Sequence, residues 1–460
     1  MYWDFPGVSA DDFIQRSPVL DPATIRLSPH EAYARLDSDE PAARVRLNTF
    51  DGRPVYRFGA GRGDRLVYAD TGEEQVLVSP EMARRIASAW TLQPATSARQ
   101  EFVEQPDQWT VQESFRALMP LWKFSWPDGE QVYISDATGE VVQYTTTRRR
   151  FWAYLGAIPH WLYFTPLRRH GAEWSRLVIW LSATGAVTAS LGIAIGLWMY
   201  SPGKRYQNEG RATRIPYRGQ KRWHAILGLL FGAGAVTWAF SGMMSMDPFP
   251  RARRKAQAFD VANSLRGPIE FGRYHPREAL ESGAPGAKQI ELISIGGDVY
   301  YIATFNPHLT RVLPPGGAPF AEFAPDKLVA IVRKAAPPEA LAEVRELREY
   351  DRYYLDRRGE LPLPVILVRL NDADHSRYYI DPKTARVAGV YSSRAWMERW
   401  LYHALHSLDF PWFYRYRPLW DVVVILFMLG GGALSVTSLI LAWRVVLRKM
   451  AWFEMQKPGE

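Results

Sequence analysis

Three long apolar segments interrupt an otherwise polar chain. Asp, Glu, Lys and Arg are absent from residues 177–199, 225–246 and 422–443. Each segment has 22 or 23 residues, and a helix rising about 1.5 Å per residue would cross a hydrocarbon core of roughly 30 Å. Trp and Tyr stand near the segment ends, where amphipathic rings favour the headgroup layer. The pattern predicts three transmembrane helices.

In the polar regions, the pattern of hydrophobic residues predicts short helices and alternating strands. Residues 27–36 read as a helix behind a Ser28 cap, and the alternating strands that follow turn at Asp51-Gly52. A similar helix-then-strand pattern is predicted at 110–142 and, more loosely, at 326–390. One helix on a small antiparallel sheet is an α+β unit. The predicted fold class is an integral membrane α-helical bundle with α+β extramembrane domains.

A repeat relates the two halves of the chain. His160 and His406 each precede an apolar segment, as do Trp174 and Trp420, and both pairs are 246 residues apart. This spacing predicts a duplicated unit of outer domain, interfacial histidine and membrane helix. The predicted divisions are an outer region (1–170), a helix (171–200), a basic loop (201–222), a helix (223–246), a second outer region (247–416), a helix (417–446) and a tail (447–460).

The distribution of charged residues predicts how the helices and outer regions are oriented in the membrane. The loop from Tyr200 to Trp223 carries seven basic residues against one acid, Glu209, and short basic loops stay in the cytoplasm. The formal charge of +8 gathers beside the apolar segments, which indicates a lipid bilayer as partner and no nucleic acid. Both outer regions are then periplasmic, in a bacterial inner membrane. The alternative is that both are cytosolic. With no cysteine, neither is held by disulfides.

An outward-facing first region requires export, and no signal peptide precedes it. Residues 247–250 (DPFP), which follow the second apolar segment, match Asp4-Phe5-Pro6 near Met1. We therefore expect a further transmembrane helix upstream of Met1.

The motifs VYISDATGEV and RYYIDPKTARV resemble the closing hairpin of the PepSY module, and PHWLYF, KRWHAILGLL and LHSLDF resemble the PepSY-associated transmembrane family. The second hairpin departs from the module at Ala385, where Gly is usual. The resemblance implies a first membrane helix before the first outer domain. It also implies kinship with inner-membrane haem proteins that are implicated in reducing ferric siderophores.

Histidines at membrane boundaries are the candidate cofactor ligands, because an ionisable group beside hydrocarbon needs a partner or a role. His403 and His406, at i and i+3, share a helix face. We expect one or two b-type haems, with iron bound through His160, His224 and His406 and with His403 as a further candidate. An outer haem would use His160 with His403 or His406, and an inner haem would use His224 with a histidine of the upstream helix. His170, in the charged stretch RRHGAEW, is expected to be a surface residue.

Side chains suited to a flat cofactor accompany these histidines: Trp238, Phe240 and Phe427 as walls, with Gly228, Gly232, Gly234 and Gly430-Gly431-Gly432 for close approach. Two alternatives stay open. The histidines and glycines could serve only the interface and helix packing, or His403 and His406 could hold Zn or Cu.

The expected function is an oxidoreductase that passes electrons through haem to a periplasmic acceptor, expected to be a ferric siderophore. Quinol or a partner protein would be the donor, because no flavin or nicotinamide fingerprint occurs. Arg and aromatic residues at 148–161 and 392–406 could hold an anionic or catecholate chelate. The alternative is a haem-free, membrane-anchored PepSY protein that binds a peptide or partner.

Overall fold

The computed structural model describes residues 5–38, 41–60, 63–249, 259–269, 271, 274–337, 339–356, 359–393 and 395–455. Two compact units divide the chain: the first lies within Met1–Gly171, Ala256–Glu349 and Asp356–Val390, and the second within Ala172–Lys255, Tyr350–Leu355 and Tyr391–Glu460. Met1, Asp4, Pro250 and Arg394 lie outside the described residues, so the predicted match of 4–6 to 247–250 stays a prediction.

The α-helices, in chain order, are α1 Ala10–Arg16, α2 Pro29–Tyr33, α3 Pro80–Thr91, α4 Thr147–Leu155, α5 Ala157–Trp161, α6 Thr165–Arg168, α7 Gly171–Met199, α8 Gly219–Met244, α9 Val261–Leu265, α10 Pro276–Gly283, α11 Pro325–Ala335, α12 Ala395–Met397, α13 Leu405–Ser407, α14 Pro411–Tyr414 and α15 Leu419–Met455. A π-helix spans Glu398–Ala404, and 3₁₀ turns span Pro22–Thr24, Ala95–Ser97 and Glu113–Leu118.

The strands are β1 Arg44–Phe50, β2 Arg53–Ala60, β3 Gly63–Tyr68, β4 Glu74–Gln75, β5 Arg99–Val103, β6 Leu121–Ser125, β7 Gln131–Ser135, β8 Val141–Thr145, β9 Tyr206–Asn208, β10 Arg211–Thr213, β11 Gln289–Ile295, β12 Asp298–Asn306, β13 Leu309–Leu313, β14 Leu341–Leu347, β15 Val365–Leu370, β16 Arg377–Asp381 and β17 Arg386–Tyr391.

In the first unit, the two predicted outer regions share one seven-stranded sheet of order β13-β12-β11-β1-β2-β3-β4. Its central pair, β1 and β11, is antiparallel, with Val45 opposite Leu292 and Arg46 opposite Glu291. Each half of the chain therefore covers the free edge of the other half's hairpin, which an isolated copy would leave exposed. The sequence predicted the two regions separately, and the structure joins them.

Each half also has its own four-stranded sheet, β5-β6-β7-β8 or β14-β15-β16-β17. Buried Leu328 and Val332 of α11 pack with Ile366 and Val368 of β15, as the pattern at 326–390 predicted. In the first half the helical prediction at 111–126 was wrong. Those residues form a 3₁₀ turn and β6, and the equivalent helix is α3, whose alanines pack on the sheet.

A predicted helix cap and a predicted hairpin turn are confirmed. Ser28 caps α2 through a capping box with Glu31, and Asp51 and Gly52 both have positive φ, 49° and 79°, as a two-residue hairpin needs. The turns at Gly139 and Ala385 are equivalent as well, since both residues have positive φ, 65° and 50°. Ala385 thus adopts a left-handed conformation that glycine accepts without steric cost.

The junction of the two halves is charged. Buried Glu291 lies 3.6 Å from Arg44 and 3.8 Å from Arg266, and it also pairs with Arg386. Burial, with the charges of Arg44 and Arg266 nearby, lowers the pKa of Arg386 to about 10. One carboxylate therefore faces three guanidinium groups in the shared sheet and balances only one of their three charges.

In the second unit, three helices are long and apolar enough to cross a membrane: Gly171–Met199, Gly219–Met244 and Leu419–Trp452. The last continues as α15 to Met455, beyond the tail boundary predicted at 447, because no Gly or Pro interrupts residues 433–455. The basic loop is not featureless either. It contains a hairpin, β9–β10, that turns at Glu209-Gly210 with both φ angles positive.

Large side chains of neighbouring helices pack against several glycines of these helices. A Cβ at Gly232 of α8 would lie 2.9 Å from Ile193 of α7, and one at Gly234 would lie 2.6 Å from the Phe427 ring of α15. Phe231 occupies the equivalent space over Gly430, and the Phe231 and Phe427 rings meet edge to face with centroids 5.8 Å apart. These glycines serve helix packing.

Candidate functional site: histidines bound to helix hydroxyl groups

His224, in the first turns of α8, forms a hydrogen bond with α15. Its Nδ1 lies 3.1 Å from Oγ1 of Thr437. The Thr437 hydroxyl also lies 2.8 Å from the carbonyl of Leu434, and when it donates its proton there it accepts from Nδ1–H of His224. The lone pair of the neutral ring is then on Nε2, the atom that would bind a metal.

His406, on α13, repeats this arrangement at the other end of α8. Its Nδ1 lies 2.9 Å from Oγ of Ser241, and that hydroxyl donates to the carbonyl of Trp238 at 3.1 Å. When that hydroxyl donates to Trp238, His406 is an Nδ1–H tautomer with its lone pair on Nε2. A second hydrogen bond that fixes the tautomer and orients the ring is the usual support of a metal-binding histidine.

The two arrangements are far apart along one helix. Seventeen positions separate His224 from Ser241 on α8, or about 26 Å at about 1.5 Å per residue. This separation is what the prediction of one inner and one outer histidine requires.

His403 has different surroundings. It lies in the π-helix, with Nε2 3.9 Å from the carboxylate of Glu398, whose side chain is exposed, while that of His403 is partly exposed. The Tyr402 ring contacts both histidines, with its centroid 4.7 Å from His403 and 5.3 Å from His406. The predicted pair is therefore near one aromatic ring, and His406 has the additional contact with the Ser241 hydroxyl.

A buried ion pair flanks His406. Arg399 donates to Asp409 Oδ1 and to the Asp409 carbonyl, both at 2.9 Å, and to the carbonyl of Arg352 at 2.6 Å. The indole of Trp420 donates to the carbonyl of Leu408 at 2.9 Å. Hydrogen bonds therefore fix the chain both before His406, at Arg399, and after it, at Leu408 and Asp409. π-Helical turns of this kind are frequent at functional sites.

His160 belongs to the first unit, on α5. Its side chain is exposed, yet the surrounding atoms desolvate the ring and lower its pKa, which favours the neutral form that a ligand needs. The predicted pairing of His160 with His406 stays a prediction. His170, at the end of α6, remains a predicted surface residue, and its ring is exposed.

Haem and a bare metal ion need different numbers of protein ligands. Among the described residues, no group of three or more His, Cys, Asp or Glu side chains could hold a metal ion, and a Zn or Cu site usually needs three or four protein ligands. Haem needs only one or two axial ligands from the protein, so single histidines with oriented Nε2 atoms fit it. The packed glycines Gly234 and Gly430 do not provide the flat space that the sequence suggested.

Sequence reasoning identified the histidines but missed their partners. Ser241 and Thr437 are hydroxyl residues in apolar helices, where such side chains usually bond to their own backbone. Their burial beside a histidine 165 or 213 residues away is visible only in the fold. No protein-family model, curated protein or solved structure matches this chain.

Proposed function

We propose that this chain is an inner-membrane b-type haem protein, of the PepSY-associated transmembrane kind, that passes electrons to a periplasmic acceptor of the ferric siderophore class. The observation that supports this proposal is a pair of hydrogen bonds near opposite ends of α8, which join Nδ1 of His224 to Thr437 and Nδ1 of His406 to Ser241. When bound, haem supplies one-electron transfer.

The chain's own residues have three roles in this proposal. His224 and His406 would hold the haem iron through Nε2. Ser241 and Thr437 accept the Nδ1 protons, which orients the rings and makes Nε2 more basic. Arg399 and Asp409 hold the segment around His406, and the apolar helices exclude water from both ligand positions.

Absorbance of the detergent-solubilised chain, produced with ample haem supply, tests the proposal. We expect a Soret band that shrinks in His224→Ala and in His406→Ala, because each variant removes one ligand, and that persists in His308→Ala. A colourless protein, or a band that neither substitution changes, would overturn the proposal and favour the haem-free binding protein.

Substitutions of Ser241 and Thr437 test whether their hydrogen bonds to the histidines strengthen haem binding or whether these side chains only pack between the helices. Ser241→Ala and Thr437→Val should weaken haem binding about 10- to 100-fold while keeping the ligands. The matched controls are Ser245→Ala and Ser438→Ala, because those hydroxyls bond only to backbone carbonyls of their own helices among the described contacts. Equal losses in variants and controls would contradict the assigned roles.

A further inference from the structure

A groove of about 370 Å³ lies between the start of α8 and the last part of α15. Four basic side chains line it, Arg218 and Lys221 from the α8 side and Arg444 and Arg448 from α15, and no acidic residue does. Arg444 and Arg448, at i and i+4, share one face of α15. Two separate helices therefore direct positive charge at one space.

These four cations have no acidic partner among the residues that the structure describes. By contrast, two other arginines of the same unit are paired with acids, Arg417 with Asp421 at 2.6 Å and Arg399 with Asp409 at 2.9 Å. Like charges brought together without a counter-ion repel each other, so an anion from outside the chain would stabilise the groove.

The groove also has an apolar side. Leu441 and Val445 of α15 line it together with the basic groups. Trp223 of α8 and Trp443 of α15 are close in sequence to the groove residues and are exposed, 59% and 60% accessible. Such rings favour the headgroup layer. A ligand that joins a phosphate to acyl chains fits this surface better than a free anion, which would leave the apolar side chains without a role.

We propose that this groove binds the phosphate of an anionic phospholipid, with its acyl chains against Leu441 and Val445. The inference rests on the membrane insertion in the proposed function but not on haem. It also adds a coupling to that function, because Lys221 is one turn from His224 and Leu441 is one turn from Thr437. A bound headgroup would tie α8 to α15 beside that hydrogen bond.

Native mass spectrometry and thermal unfolding of the full chain in detergent, with added lipid, test the site. Phosphatidylglycerol should bind and raise the unfolding midpoint more than phosphatidylcholine does. Arg444→Gln combined with Arg448→Gln should weaken phosphatidylglycerol binding at least about tenfold, since each basic contact to an anionic headgroup contributes appreciably. The control is Arg211→Gln combined with Arg214→Gln, in and next to β10 of the same basic loop, which should bind as the unchanged chain does.

Three results would overturn the inference: equal effects of the two lipids, full replacement of phosphatidylglycerol by inorganic phosphate at the same concentration, or unchanged binding in the α15 double variant. Matching far-UV circular dichroism shows that this variant folds. Because neither readout depends on haem absorbance, a colourless protein that still selects phosphatidylglycerol would separate failure of the haem proposal from failure of this one.

Discussion

Replacing Asp409 by Ala is expected to lower the free energy of unfolding of the second unit by about 3–5 kcal/mol. The reason is that Arg399, whose side chain is 4% exposed, would keep its charge in a buried position without its carboxylate. Hydrogen bonds to the carbonyls of Arg352 and Asp409 do not neutralise that charge. Denaturant unfolding in detergent, followed by tryptophan fluorescence, measures the change.

Two comparisons make this result specific. The pair Arg417–Asp421 is more exposed and spans one helical turn, so Asp421→Ala should cost less than about 1 kcal/mol. Combining Arg399→Met with Asp409→Leu should recover much of the lost stability, because both charges are then gone. A loss in Asp409→Ala no greater than that in Asp421→Ala would show that the buried pair contributes little.

Replacing Gly139 by Ala is expected to cost the first unit about 2–5 kcal/mol. Its φ of 65° is unfavourable for a residue with Cβ by about 1–2 kcal/mol. The new Cβ would also lie 2.5 Å from the Phe50 ring, which is 4% exposed, and such overpacking adds about 1–3 kcal/mol. The midpoint of thermal or denaturant unfolding reports the sum.

Gly52→Ala isolates the backbone contribution. Gly52 has a similar φ, 79°, but a Cβ there would meet no atom within 4 Å, so only the conformational cost of about 1–2 kcal/mol remains. The difference between the two variants measures the contact with Phe50. Equal losses would mean that the ring moves aside freely.

The apolar helices and the local turns were predictable because their signals are local. Absence of charge over 22 or 23 residues identifies a helix such as α8 from its own sequence, and Asp51-Gly52 forms the hairpin turn unaided. The π-helix was not predictable, since ERWLYHA contains no residue that favours an extra residue per turn over an ordinary helix. The packing of Arg399 against Asp409 and Arg352 accompanies it, and those contacts depend on the fold.

The shared sheet was also out of reach of the sequence. Strands β1 and β11 each have a sequence that is compatible with a β-strand. The sequence of neither strand indicates that the two pair with each other. For the candidate site, the predictable part was the choice of His224 and His406 at helix ends. The ring orientation was not predictable, because it depends on Thr437 and Ser241, which only the packed helices bring near.

The central pair of the shared sheet limits which halves can associate. The hairpins β1–β2 and β11–β12 align through their turns, so Arg46 and Glu291 hold equivalent positions, and they lie opposite each other. If two first halves paired in this register, Arg46 would face Arg46, and two second halves would oppose Glu291 to Glu291. Like charges directly opposite destabilise strand pairing. The register of this one pair therefore favours association of the first half with the second over association of either half with its own copy.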